Sequence, residues 1–233
     1  MPQFYDESQI TRAEQRMGIS RKRNSISAVR AFAPVNLIRR IQFWTQPYPV
    51  GIADVPRSAM VDLDEARLVM DQANRRYSKG RLGYRCRTTG HYKADGRLLL
   101  AAISGSEDGE RWLMMEDRSG TTLPLCVRFI RHILDGLGQG MPGNRRCIVM
   151  DNLNVHKHPV VLQMITQAGH MHNFRAPYWP KDGAIEYFFN TVEVGLKSTM
   201  FEVDNVTDME EKILNIVAQH PHFIAYFENC GYR

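Results

Sequence analysis

A chain of 233 residues with 43% hydrophobic composition can bury one sizeable core, and its formal charge of +5 favours anionic partners. No run approaches the roughly 18 consecutive apolar residues that a membrane span requires, and the N-terminus MPQFYDESQITRAEQR lacks the apolar centre of a signal peptide. A soluble intracellular protein without membrane contact is therefore expected, and the scattered Cys86, Cys126, Cys147 and Cys230, with no CxxC pair, argue against a zinc knuckle or a disulfide framework.

The charge is unevenly placed. Residues 1–59 hold nine Lys/Arg (Arg12, Arg16, Arg21, Lys22, Arg23, Arg30, Arg39, Arg40, Arg57) against four acids (Asp6, Glu7, Glu14, Asp54), and the remainder balances at 21 of each sign. Two readings fit: a basic arm that touches nucleic-acid phosphates, or a solvated polar arm. We read residues 1–58 as this arm, a linker with two short helices ending in the proline-punctuated stretch Pro47 to Pro56, and residues 59–233 as the globular domain.

Strand-like runs begin at Ala59: AMVDLD (59–64), RLLLAAIS (97–104) and, after the turn SEDGE, RWLMME (111–116), together an antiparallel meander. Between the first two lies a basic segment with Arg75, Arg76, Lys79, Arg81, Arg85 and Arg87 and interleaved Tyr77, Tyr84 and Tyr92. It is read either as a loop that tracks a DNA backbone or as a solvated hairpin. Leu123, Val127, Ile130, Ile133, Leu134 and Leu137 form one helical stripe behind Thr122 as N-cap and Pro124 in the first turn. The glycines of GLGQG follow that helix and precede the buried strand CIVMD (147–151), the reverse of the strand-to-helix order of a phosphate loop. A helix over about 159–168, a short strand over about 170–174, the loop APYWPKDG and a helix over 185–200 follow. A last helix opens at Thr207, with Thr207 and Glu210 as a capping box.

Asp64 closes AMVDLD, Asp151 closes CIVMD, and Glu186 stands in the first turn of the helix after the proline loop. Ends of central strands deliver side chains from a rigid base into a crevice. Three carboxylates converging there repel one another unless cations neutralise them, and hard oxygen ligands favour Mg²⁺ or Mn²⁺ over zinc. Two such ions in one site are suited to phosphoryl transfer. The pairs 156/158, 170/172 and 220/222 of form His-x-His lack a third ligand at finger spacing.

Three blocks carry a more specific signal: VDLDEARL (61–68), IVMDNLNVHKHPVV (148–161) and FRAPYWPKDGAIEYFFNTVEVGLK (174–197). They resemble the mariner superfamily of cut-and-paste transposases, the DDE-type endonucleases, in its Tc branch. The matching positions are Asp64-Glu65, Asp151-Asn152 with His156, and Pro177-Tyr178-Trp179-Pro180 leading to Ile185-Glu186, with 34 residues between Asp151 and Glu186. The closing FENCGYR is similar to the family's His-Cys-Gly-Tyr ending, with Asn229 in place of His, and MGISRKR (17–23) resembles the stretch before the catalytic domain. Lys181-Asp182-Gly183-Ala184 stands where the family carries Asp-Leu-Asn-Pro.

The resemblance implies an α/β, RNase H-like (retroviral-integrase-like) fold with a five-stranded mixed sheet flanked by helices. It implies hydrolysis at transposon ends and transfer of the 3′-hydroxyl to target DNA, with Asp64, Asp151 and Glu186 holding two Mg²⁺ or Mn²⁺ ions and no organic cofactor. DNA, as transposon ends and target duplex, is the expected partner, a homodimer the family's expectation, and the nucleus the location in a eukaryote. The stretch before Ala59 is too short for two helix-turn-helix units, which leaves a truncated copy or end recognition supplied by another chain as the expectations. Lys157 is placed to meet a phosphate, Asn152 to support Asp151, His156 to approach the ions or to stand exposed at the start of the next helix, and Trp179 to stack on a base or pack on the Glu186 helix. A catalytically silent or host-adopted descendant that binds DNA is the alternative, and a nuclease of RNA–DNA hybrids would share the metals but not the Pro-Tyr-x-Pro block.

Overall fold

Period-two alternation of apolar side chains from residue 60 onward lays down the central sheet. The computed structural model describes residues 16, 28–70, 95–199 and 203–232. The basic segment with Arg75, Arg76, Lys79, Arg81, Arg85 and Arg87 lies outside the described residues, as does Cys86. Strands β1 (Met60–Val69), β2 (Gly96–Ser104), β3 (Arg111–Glu116), β4 (Cys147–Met150) and β5 (Met171–Phe174) form one sheet in the order β3-β2-β1-β4-β5. The meander β1-β2-β3 is antiparallel, whereas β4 joins β1, and β5 joins β4, in parallel.

Helices α1 (Pro34–Thr45), α2 (Leu123–Leu137), α3 (Pro159–Gln167), α4 (Ala184–Thr199), α5 (Val206–Gln219) and α6 (Ile224–Cys230) cover the sheet. Odd positions of β1 (Val61, Leu63) join Leu98, Leu100, Ile148 and Met150 against Phe129, Ile130, Ile133, Val161 and Ile165 of α2 and α3. Even positions (Met60, Leu68) join Leu99, Ala101, Ile103 and Val149 against Ile185, Phe188 and Val192 of α4, Ile213 of α5 and Phe227 of α6. Helices on both faces of a five-stranded mixed sheet, three antiparallel strands followed by a parallel pair, make the RNase H-like architecture that the resemblance implies. Among the described residues no helix is long and apolar enough to cross a membrane.

Several expected elements shift in detail. Strand β1 runs to Val69 instead of stopping at Asp64, because β2 pairs with it as far as Val69↔Gly96. Its charged half, EARLV, still alternates, with Leu68 turned to the core. The buried stripe of α2 is Leu125, Cys126, Phe129, Ile130 and Ile133, while Leu123, Val127, Leu134 and Leu137 are only partly buried. Thr122 is the N-cap residue of α2, but its side chain makes no capping bond. The capping box of α5 is Asn205 with Asp208 instead of Thr207 with Glu210: Asn205 accepts from the Asp208 amide (3.1 Å) and Asp208 from the Asn205 amide (3.2 Å). Asn is a stronger cap than Thr, and it fixes the helix start two residues earlier. The expected last helix is followed by α6, which ends on Gly231 in the left-handed conformation (φ 97°). Where two short helices are expected in the arm, the described residues carry a 3₁₀ turn, Val29–Phe32, then α1, and a second 3₁₀ turn, Arg57–Ala59, at its junction with β1.

Candidate active site

The parallel register Met60↔Cys147, Val61↔Ile148, Asp62↔Val149, continued two residues, sets Asp64 beside Asp151. Asp64 is therefore an inner residue of β1 and not its last one, and it becomes accessible because β4 ends at Met150 and leaves that flank of β1 open. Asp62 and Asp64 share the face covered by α4, whose first turn carries Glu186. Asp64, Asp151 and Glu186 line one cleft of ≈ 410 Å³ together with Asn152, Arg175, Pro177, Tyr178 and Trp179. Tyr178 holds a left-handed φ of 66°, an unfavourable conformation for a side chain with a Cβ, and it turns the chain sharply between β5 and α4.

The carboxylates differ in their surroundings. Burial raises the pKa of Asp64, Arg175 pulls it back and Asp151 pushes it further up. Glu186 is likewise raised by burial and then by Asp64, and it accepts no hydrogen bond among the described residues. For Asp151, burial acts upward, but hydrogen bonds from His156 (Nδ1 to Oδ1, 2.6 Å) and from the Leu153 amide (2.9 Å) prevail and hold it below the usual carboxylate range. His156, 1% exposed, is not an exposed residue at the helix start, and it does not line the cleft. It sits between Asp151 and Glu65 (Nε2–Oε2 3.5 Å), and although burial disfavours its charge, these two acids raise its pKa. Asn152 donates from Nδ2 to the Arg175 carbonyl (2.5 Å), tying the loop after β4 to the loop after β5.

Other expected contributors are spread around the cleft. Lys157 lines a neighbouring cleft of ≈ 360 Å³ with Arg39 and Asn152, and its Nζ lies 5.6 Å from the Phe174 ring centroid. Trp179 packs edge-to-face on Phe32 (5.5 Å) and beneath the Arg40 guanidinium (4.1 Å), so its partners come from the N-terminal arm. The described thiols Cys126 and Cys147 are buried, and Cys230 is partly so.

Three residues of the site escape reading from sequence: Asp62, Glu65 as the second partner of His156, and Arg175. Asp62 is fully buried; its carboxyl, pushed up to about 6 by burial, is held by Arg175 and by the Ile185 amide (3.0 Å). The available signals were an acid two positions from Asp64, hence on its face of the strand, and an arginine directly after a short strand.

The donor chemistry fits a hard divalent cation: three carboxylates at one cleft, with Asp151 Oδ2 and the Glu186 oxygens unclaimed by hydrogen bonds among the described residues. In this conformation, however, no three His, Cys, Asp or Glu side chains among the described residues converge into a ligand set. Asp64 and Asp151 are directed instead at Arg175 and His156.

The family model described as DDE superfamily endonuclease matches residues 59–201. No curated protein matches the sequence. Among solved structures, the chain resembles a pre-cleavage Mos1 transpososome (TM-score 0.70, 13% identity, 95% of this chain and 66% of that one). It also resembles the Mos1 mariner paired end complex with Mn (TM-score 0.67, 13% identity, 96% and 66%). The Mos1 transposase catalytic domain with Raltegravir and Mn matches with TM-score 0.57 at 10% identity over 89% of this chain and 90% of that one. The chain thus spans just under two thirds of the length of the first two.

Proposed function

The chain belongs to the DDE superfamily endonucleases, and from that premise we propose that it is a transposase of the Tc branch of the mariner superfamily, hydrolysing phosphodiesters at transposon ends and joining the freed 3′-hydroxyl to target DNA. The observation that carries this reading is that Asp64, Asp151 and Glu186 line one cleft, delivered by β1, the end of β4 and the first turn of α4. The three are the residues that would hold Mg²⁺ or Mn²⁺; a bound pair of such ions would supply activation of the attacking oxygen and charge neutralisation at the leaving one.

The chain's own residues do the positioning. His156 fixes the Asp151 carboxylate through Oδ1 and leaves Oδ2 free of protein partners among the described residues. Asn152 holds the two loops that floor the cleft in one relation. Lys157 and Arg39, in the adjoining cleft, supply positive charge where a phosphate backbone would leave the site. Trp179, packed against Phe32 and Arg40, lines the cleft where a base would stack. Residues 1–58 act as the remnant of a DNA-binding region and 59–233 as the catalytic domain. The basic segment with Arg75, Arg76, Lys79, Arg81, Arg85 and Arg87 contacts DNA, the working form is a homodimer on paired transposon ends, and in a eukaryotic host it acts in the nucleus.

The test is nicking of a labelled duplex by the purified chain with Mg²⁺ or Mn²⁺, beside Asp151→Asn and an EDTA control. Metal-dependent cleavage leaving 3′-hydroxyl ends and lost in the variant is the expected result. DNA binding without cleavage identifies instead a catalytically silent descendant or a chain that needs end recognition supplied from elsewhere.

A further inference from the structure

Arg175 is 5% exposed and linked to two acids of one strand: Nη1 donates to Asp62 Oδ1, and Nη2 to Asp64 Oδ2 at 2.6 Å. Asp62 passes the connection on, because its Oδ2 accepts from the Ile185 amide at 3.0 Å, in the first turn of α4 beside Glu186. The Arg175 amide donates to the Met150 carbonyl (2.9 Å), and its carbonyl accepts from Asn152, the residues on either side of Asp151. One buried residue thus touches β1 and both sides of Asp151 directly and reaches the first turn of α4 through Asp62.

The loop before α4 is shaped around this side chain. A Cβ at position 183 would lie 2.9 Å from Arg175 Nη1 and 3.1 Å from its Cζ, so Gly183 leaves the space that the guanidinium fills. The departure Lys181-Asp182-Gly183-Ala184 and the charged pair Asp62–Arg175 are accordingly one packing solution.

We propose that Arg175 is a built-in counter-ion and positioning residue: it holds Asp64 and the start of α4 in register, and its hold on Asp64 Oδ2 is what an incoming divalent cation has to compete with. This rests on the assignment of Asp64, Asp151 and Glu186 as metal ligands. Only 5% exposed and bonded to Asp62 and Asp64, Arg175 acts through those carboxylates and not on substrate. Asp64 Oδ1 already accepts from the Glu65 amide (2.8 Å), so each oxygen carries one hydrogen bond, and a cation at Oδ2 has to share it with the Arg175 guanidinium or displace that contact.

Removing the guanidinium should therefore move affinity and turnover in opposite directions. A residue that only stabilised the fold would lower both.

The experiment uses the whole chain, comparing Arg175→Lys and the double variant Arg175→Met/Asp62→Asn, which avoids an unpaired buried acid, with the unmodified protein. Mn²⁺ affinity is read by calorimetry and by the Mn²⁺ dependence of the unfolding midpoint, and single-turnover nicking is read at saturating Mn²⁺. The double variant is expected to bind Mn²⁺ about tenfold more tightly, since a cation 2.6 Å from Asp64 is gone, and to nick about tenfold or more slowly. Arg175→Lys, which keeps the charge but cannot bridge both acids, likewise tightens Mn²⁺ binding and slows nicking, by smaller factors, and serves if the double variant fails to fold. Unchanged or weakened Mn²⁺ affinity in the folded variants overturns the inference. Absence of Mn²⁺ binding by the unmodified chain overturns it together with the ligand assignment beneath it.

Discussion

Asp182 joins three distant parts of the chain, and replacing it tests how firmly the arm is tied to the site. Its carboxylate, 3% exposed, accepts from Arg40 Nε (2.7 Å) and Nη2 (2.8 Å) and from Trp44 Nε1 (3.3 Å), while its carbonyl accepts from the Tyr232 hydroxyl (3.0 Å). Asp182→Ala removes the forked charged contact, about 1.5–3 kcal/mol, and an indole hydrogen bond of about 1 kcal/mol. The Arg40 side chain is 38% exposed and regains water once freed, so a net loss of about 2–4 kcal/mol is expected. For a chain of this size that lowers the unfolding midpoint by roughly 4–15 °C. In a double-mutant cycle with Arg40→Met, read by urea unfolding, the coupling should reach about 1–3 kcal/mol, with Asp182→Asn losing about half as much as Asp182→Ala. A coupling below roughly 0.5 kcal/mol would refute the claim that this pair anchors α1 to the turn before Glu186.

His156→Ala should lower nicking roughly 10–100-fold and raise the Mn²⁺ concentration for half-maximal rate, because Asp151 loses the group that orients it; unchanged Mn²⁺ dependence would remove His156 from the site. In the metal-free protein, Asp62, Asp64 and Glu186 have pKa values raised above their unfolded ones, so the folded state binds more protons than the unfolded state. Their contribution to stability is complete below the ordinary carboxylate range and is lost as pH rises, for Asp62 across about 4 to about 6. Urea midpoints should accordingly register a destabilising contribution from these groups between pH 4 and pH 7, and Mn²⁺ should stabilise more at pH 7 than at pH 5. Burial pushes the thiols of Cys126 and Cys147 up to about 12, so mass mapping after iodoacetamide at pH 8 should find both unmodified in the native state and modified in urea.

Much of the architecture can be read from local periodicity. Alternation in AMVDLD, RLLLAAIS and RWLMME identifies the meander, and the apolar spacing of 123–137 and 185–196 identifies two helices, because periods of 2 and 3.6 act within a few residues and need no partner. The order of acids, Asp64, Asp151 and Glu186, is equally legible, since strand ends and first helical turns are visible as interruptions of those patterns.

Tertiary structure decided the rest. That Asp64 lies within β1 and not at its end depends on β2 pairing with β1 as far as Val69, its access to solvent depends on β4 stopping at Met150, and that Asp62 is buried and charged depends on an arginine 113 positions away. A charge in a loop reads as surface because ions are expensive to desolvate; Arg175 is an exception only because two acids on one strand face and the gap left by Gly183 meet it there. The same holds for His156, whose two acids stand on separate strands or their ends, and for Trp179, whose partners come from an arm that sequence alone left as a linker. Periodicity determines which face a residue takes, whereas register and chain crossing determine what waits for it there.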